Sequence, residues 1–212
     1  PFDDLIQVCA VMPYEYALLV RGDAPWNTWE EFTAYVKKNP GKVTYGSVGA
    51  GTTNHLATAR IGKELGFDWK HVPFQGGVKS TAALLGGHVD MINNTMASVV
   101  SSIRAGKIKA LLVTSEDRFS ATPDVPTMKE KGFTFSQISY MSIVAPAGIP
   151  EEARMMISNA FKVAAADKGV LKSTGKLDLH PKFMDGKEYQ TLLENLSKEW
   201  GGLLKDLGVK VQ

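Results

Sequence analysis

Apolar and polar positions alternate with two different periods along this chain. "YEYALLV" (Tyr14 to Val20) is a near-continuous apolar run and predicts a buried strand. "TWEEFTAYVKKN" changes to a helical period, with Thr28 as N-cap and Glu31 completing a capping box three residues on. Pro40-Gly41 stops it. "KVTYGS" predicts a strand, a glycine-rich loop follows, and a helix runs from Thr53 to Leu65 with Gly66 as its terminator. The same alternation continues: "WKHVPF" as strand, "VKSTAALLGG" as a short helix, "HVDMI" as strand, "MASVVSSIRAG" as helix and "IKALLVTS" as strand. Strands alternating with helices over short connections predict an α/β fold, with a mostly parallel sheet and helices on both faces. After Pro126 the pattern loosens. "SYMSIVAPAGIP" holds one more strand, and a helix runs from about Glu151 to Asp167. A last helix, about Lys187 to Leu207, carries Tyr189, Leu192, Leu193, Leu196, Trp200, Leu203 and Leu204 on one face. The chain has no internal repeat and no low-complexity linker.

Composition narrows the function classes. The 212 residues are enough for one large domain or two small lobes, each with a core. The 24 basic and 22 acidic side chains leave a net charge of +2, and neither sign forms a long run, so nucleic acid is not an expected partner. The longest apolar runs are too short to span a bilayer. The single cysteine, Cys9, has no internal partner and reads as a packed thiol. "PFDDLIQV" lacks the basic segment and long apolar run of a signal peptide, and no initiator Met opens the chain. A mature or truncated chain is therefore expected.

The loop in "YGSVGAGTTNHLATARIGKEL" is the first candidate for chemistry. Its place between a strand and a helix N-terminus offers free backbone N–H groups and the positive end of a helix dipole. Ser47, Thr52 and Thr53 add hydroxyls, and one of the threonines is a candidate cap. Three sharper motifs each fail at one position with a physical job. As a P-loop, "GSVGAGTT" has Thr52 where the lysine must reach a terminal phosphate. As a dinucleotide fingerprint, "GAGTTN" has Asn54 where the third glycine lets helix and strand pack closely. As a nucleophile elbow, "YGSVG" has Tyr45 for the first glycine. Two readings stay open: an uncharged cradle for a carboxylate or similar anion, and a tight turn that holds nothing.

A second glycine turn, Gly76-Gly77 in "HVPFQGGVKSTAALLGG", also ends a predicted strand and opens a helix. In open α/β sheets ligands sit beyond the carboxyl ends of the strands, so both turns can face one crevice. "INNTMAS" adds Asn93, Asn94 and Thr95 after the next strand. These turns contain no ionisable catalytic group, and neutral donors suit binding better than chemistry.

Catalytic and metal-binding patterns are not found. His55, His71, His88 and His180 show no HExxH or Cys/His ligand spacing. His55 lies beside the loop, where helix packing is favoured over anion contact. His71 and His88 are expected to be satisfied structural residues in or near strands, and Asp90 a buried, hydrogen-bonded carboxylate. Arg118 can clamp a carboxylate or pin its own loop, and the loop role is favoured. Trp26, Trp29, Trp69 and Trp200 are expected in the core or at a lobe interface. No catalytic residue, metal site or cofactor is expected.

The segments "NPGKVTYGSVGAGTTNHLA", "HVPFQGGVKSTAALLGGHVDM", "GKIKALLVTSEDRFSATPDVPTMKEKGF" and "SIVAPAGIP" occur in a common order. In them the chain resembles the substrate-binding receptors of tripartite tricarboxylate transporters, also called Bug receptors. The resemblance runs from about Leu5 onward. It implies a two-lobed periplasmic-binding-protein type II architecture, with two strands crossing between lobes and the ligand between them. It also implies a periplasmic receptor that captures a small organic anion and delivers it to membrane permease subunits. Such ligands are mostly di- and tricarboxylates, with some amino acids and aromatic acids.

The resemblance assigns residues 22–141 to the second lobe, and 1–21 with 142–212 to parts of a first lobe that is incomplete in this chain. The strands around Tyr14 to Val20 and Ser142 to Ala145 would cross between the lobes, and an incomplete first lobe would favour association. Ser47, Gly49, Ala50, Gly51, Thr52 and Thr53 would take one ligand carboxylate. Gly76, Gly77, Asn94 and Thr95 would line the opposite wall. Phe74 stands where these receptors often carry Tyr, and Gln75 where they often carry Lys or another polar residue. A ligand-sensing effector domain and a small-acid-metabolising enzyme on a similar scaffold are the alternatives.

Overall fold

The computed structural model describes residues 4–137 and 139–206. Leu207, the expected end of the last helix, and the outermost residues of the expected first lobe, 1–3 and 207–212, lie outside the described residues. The chain opens with β1 (Leu5–Pro13) and β2 (Tyr16–Arg21), followed by α1 (Trp29–Lys38), β3 (Thr44–Ser47) and α2 (Thr53–Leu65). Then come β4 (Lys70–Pro73), α3 (Gly77–Leu85), β5 (Met91–Thr95), α4 (Met96–Arg104) and β6 (Ile108–Val113). A 3-10 turn at Lys129–Lys131 precedes β7 (Tyr140–Pro146), α5 (Glu151–Ala166), α6 (Lys168–Gly175), β8 (Met184–Asp185) and α7 (Gly186–Asp206). Two compact units result: Pro1–Tyr14 with Ser139–Gly202, and Glu15–Ile138 with Leu203–Gln212. Both units mix strands and helices, the α/β class that the sequence predicts.

In the first unit β1 is the middle strand of a three-stranded sheet in the order β7-β1-β8, antiparallel throughout. Apart from Gln7 this middle strand is apolar, and Val8, Cys9 and Ala10 are fully buried. Ile157 and Phe161, four residues apart on α5, pack against this sheet. Asp167 ends α5 and caps α6, its carboxylate accepting from the Gly169 and Val170 amides. Cys9 is the packed thiol expected, and burial raises its pKa.

The second unit holds a five-stranded sheet in the order β4-β3-β5-β2-β6. β3 pairs in parallel with β4 and with β5, whereas β2 is antiparallel to both β5 and β6. β4, β3, β5 and β6 therefore share one direction, and β2 opposes them. The α4 crossover joins β5 to β6 in one direction, and β2 lies antiparallel between them. Helices cover both faces. Leu84, Met96, Val99 and Val100 of α3 and α4 pack with Leu19, Ile92 and Val113 in one cluster. Asn54 and Thr58 of α2 approach Asn93 from the other face. Trp26 and Trp29 pack edgewise and tilted around Phe32 of α1, in the core as expected.

Sequence signals at helix ends carry over closely. Thr28 Oγ1 accepts the Glu31 amide at 3.1 Å, and the Glu31 carboxylate takes the Asn27 amide at 2.6 Å. The box thus closes one residue further back than the standard form. α2 runs from Thr53 to Leu65, with Thr52 as its cap and Gly66 in the left-handed conformation that ends it. The predicted strand His88 to Ile92 needs correction: β5 starts at Met91 and runs through Asn93, Asn94 and Thr95. His88 is exposed in the turn after Gly86-Gly87, so it is not a satisfied strand residue.

Candidate anion site at the carboxyl edge of the parallel strands

β3, β4 and β5 are neighbours running in one direction, so their carboxyl ends lie along one edge. α2, α3 and α4 each begin just beyond those ends, at Thr53, Gly77 and Met96. Their first turns leave N–H groups that the helices cannot pair, and their dipoles point positive toward the same edge. The two glycine turns meet here: the Gly76 amide donates to Val48 O at 3.1 Å, and the Phe74 amide to Ser47 O at 3.0 Å.

Within the first turn the hydroxyls are mostly engaged. Ser47 is fully buried, and its Oγ donates to Gly49 O at 2.9 Å. Thr52 Oγ1 donates to the same carbonyl at 2.7 Å and accepts the His55 amide as helix cap. Gly49 O is thereby held inside the loop. Gly51 has φ 76°, the region glycine enters without penalty. Ala50 and Thr53 are exposed. Backbone amides other than those of Gly49 and Gly51, which Ser47 Oγ and His55 Nδ1 accept, are the donors this turn presents.

The second turn is closely fitted to β5. Gly76 caps α3 without a side-chain hydrogen bond, and Gly77 opens the helix. A Cβ on Gly77 would lie 2.9 Å from Asn94 Oδ1, so a larger residue would have to push the Asn94 amide aside. Asn94 is buried, donating to Gly77 O at 3.1 Å and Thr81 Oγ1 at 3.0 Å and accepting the Thr95 amide at 2.8 Å. Thr95 caps α4 with no side-chain cap bond. The structure thus brings Ser47, Gly49, Ala50, Gly51, Thr52, Thr53, Gly76, Gly77, Asn94 and Thr95 to one edge. Asn93 differs from the polar turn residue expected. It sits in β5, fully buried, and donates to Thr58 Oγ1 at 3.1 Å and Gln137 Oε1 at 2.8 Å.

A ring stack stands behind the first turn, and sequence reasoning misses it. Tyr45 and His71 are register partners across β3 and β4, with ring centroids 5.0 Å apart. His55, in the first turn of α2, lies over His71 with centroids 3.8 Å apart and planes 12° apart. His71 Nε2 is 2.7 Å from Ser47 Oγ, and the Gly51 amide donates to His55 Nδ1 at 3.1 Å. Burial lowers the pKa of both imidazoles, and the neighbouring His55 helps pull His71 down to about 4. Both rings are therefore neutral at pH 7. No spacing in the sequence marks this stack, because strand register brings His71 to Tyr45.

The stack sets a pH dependence. An unfolded histidine titrates near 6.5 and His71 in the fold at about 4, so between those values the unfolded chain binds more protons. The stabilisation is fully present above about pH 6.5 and lost as pH falls toward 4. Converted in full, the shift would make the fold about 2 kcal/mol less stable at pH 5 than at pH 7. His71 is only half-buried, and solvent screening cuts that to about 1 kcal/mol. Urea unfolding at the two pH values is expected to show this loss, and His71→Phe to reduce it.

Other polar candidates have structural roles. The Asp90 carboxylate accepts the Thr44 amide and hydroxyl, both at 2.8 Å, just before β5. Arg118 pins its loop, donating to Glu130 Oε1 at 3.0 Å and to Pro123 O at 2.5 Å. Among the described residues no group of three or more His, Cys, Asp and Glu can hold a metal ion, and no helix is long and apolar enough to cross a membrane.

Comparison with known proteins supplies the family. The model for the TctC family, tripartite tricarboxylate transporter family receptors, matches residues 1–209. The chain belongs to the TctC family. The UPF0065 protein in the gbd 5' region of Cupriavidus necator is 34% identical over 209 residues, covering 99% of this chain and 64% of the relative. The structure of the periplasmic binding protein BugD is 27% identical with a TM-score of 0.86, covering 98% of this chain and 71% of that one. MatC of Rhodopseudomonas palustris, solved with bound malate, is 25% identical with a TM-score of 0.77, covering 95% and 69%. This TctC-family chain spans just under two thirds of the length of the curated relative.

Proposed function

We propose that the chain is part of a periplasmic solute-binding receptor that captures a small organic carboxylate for delivery to membrane permease subunits. One observation carries this reading: α2, α3 and α4 all open at the carboxyl edge of β3, β4 and β5. Such an edge concentrates amide donors and positive dipole ends. Neutral donors hold an anion reversibly, as a receptor must. Ser47, Gly49, Ala50, Gly51, Thr52 and Thr53 form one wall, and Gly76, Gly77, Asn94 and Thr95 the other. Phe74 beside them, in place of a tyrosine, offers no hydroxyl to the ligand. The TctC family and the malate bound by MatC support a carboxylate as the ligand class. The neutral state of His55 and His71 supports binding over acid–base chemistry. The two compact units part after Tyr14 and before Ser139, and in a hinged receptor ligand binding favours the closed population.

Calorimetric titration tests this, using the protein at the full length of its relatives against malate, other di- and tricarboxylates, amino acids and aromatic acids. Saturable binding of a carboxylate that is recovered unchanged is expected. Consumption of the acid would show an enzyme instead, and no binding to any carboxylate would reject the ligand class.

A further inference from the structure

We infer that His55 and His71 are positioning residues of the glycine loop, holding it in the shape that presents its amides to an anion; the link to an anion rests on the function proposed above. Each ring grips a different end of the loop. His71 acts on Ser47, the last residue of β3, with Nε2 2.7 Å from Oγ. Ser47 Oγ already donates its one hydrogen to Gly49 O and accepts the Gly49 amide at 3.3 Å, so His71 Nε2–H is the donor to it. His55 acts on Gly51 by accepting its amide at Nδ1, which leaves the ring hydrogen on Nε2. The loop between Ser47 and Gly51 is thus tied at both ends to one stacked pair of rings.

The stack is itself fixed from behind. Tyr45 lies under His71, and Trp69 packs against Tyr45 with centroids 5.2 Å apart. A ring locked between a strand register and a helix gives its nitrogen one position, which a mobile polar side chain lacks. Protonation of His55 at Nδ1 would replace an acceptor by a donor facing the Gly51 amide. The neutral pair is therefore the state compatible with this loop.

Two kinds of substitution separate positioning from packing. His55→Phe and His71→Phe keep a ring and remove the nitrogen. His55→Asn and His71→Gln restore a polar atom near Nδ1 and Nε2 respectively and remove the ring. In the full chain, we expect His55→Phe to speed hydrogen exchange of the Gly51 amide about tenfold, and His55→Asn to return most of that protection. His71→Phe is expected to act in the same way on the Gly49 amide, with His71→Gln as its rescue. Malate affinity is expected to fall about tenfold in both Phe variants and to recover in His55→Asn and in His71→Gln. Wild-type exchange and affinity in folded Phe variants would overturn the inference. If the Phe variants do not fold, nitrogen NMR of the unmodified protein decides: a ring hydrogen on His55 Nδ1 at pH 7 contradicts it, and one on Nε2 supports it. Failure of the unmodified protein to bind any carboxylate would count against the proposed function, while the exchange rates still decide the role of the rings.

Discussion

Replacing Gly51 by aspartate is expected to weaken carboxylate binding about a thousandfold. The site's donors are backbone amides and helix dipoles, and the cation at the second turn, Lys79, is held on Gln75 Oε1 at 2.8 Å. Two like charges about 4 Å apart repel by about 4 kcal/mol at the effective dielectric of a protein surface, and each 1.4 kcal/mol is tenfold in affinity. Gly51 has φ 76°, so any side chain there also meets backbone strain. Gly51→Asn separates the two effects, because asparagine and aspartate tolerate that conformation similarly and only aspartate is charged. The asparagine variant is expected to lose far less affinity. Equal losses in the two variants, measured by calorimetry, would show that shape and not charge governs the loop.

The largest effect on stability is expected at Asn93. Its side chain joins α2, β5 and Gln137 in a buried polar network, and Gln137 Oε1 also accepts from Thr114 Oγ1 at 2.9 Å. Asn54, Thr58, Asn93, Thr114 and Gln137 are all within the core. Asn93→Leu roughly keeps the volume but strips partners from Thr58, Asn54 and Gln137. Each keeps a second partner, so the cost is that of the lost hydrogen bonds, about 1 kcal/mol apiece, in a network where Gln137 Nε2 already lacks a partner among the described residues. We expect a loss of about 3 kcal/mol, which lowers Tm by about 6–12 °C in a chain of this size. An unchanged Tm would mean that the network contributes nothing net.

The parts of the fold legible in the sequence are those with local causes. Thr52, Thr53 and Gly66 bound α2 through cap chemistry that acts within one turn, so both ends of that helix can be read from the residues alone. Asn93 and Asn94 read as turn residues because isolated asparagines favour turns. In the fold, partners from α2, α3 and the segment at Gln137 satisfy them within a strand. β1 reads only as an apolar stretch, since the register that makes it a middle strand comes from β7, more than a hundred residues away. α6 is hidden because its cap, Asp167, reads as the end of α5. The candidate site follows the same rule. Its glycines and threonines are legible as a strand–turn–helix junction, whereas the histidines behind it meet only through the pairing of β3 with β4.

Whether an anion sits at the carboxyl edge of β3, β4 and β5 is tested most directly by amide NMR. Shifts are recorded while adding the carboxylate that binds most tightly. The largest are expected at Thr53, Asn54 and Gly77, whose amides open α2 and α3. Large shifts elsewhere, with these amides unmoved at saturation, would contradict an anion at this edge.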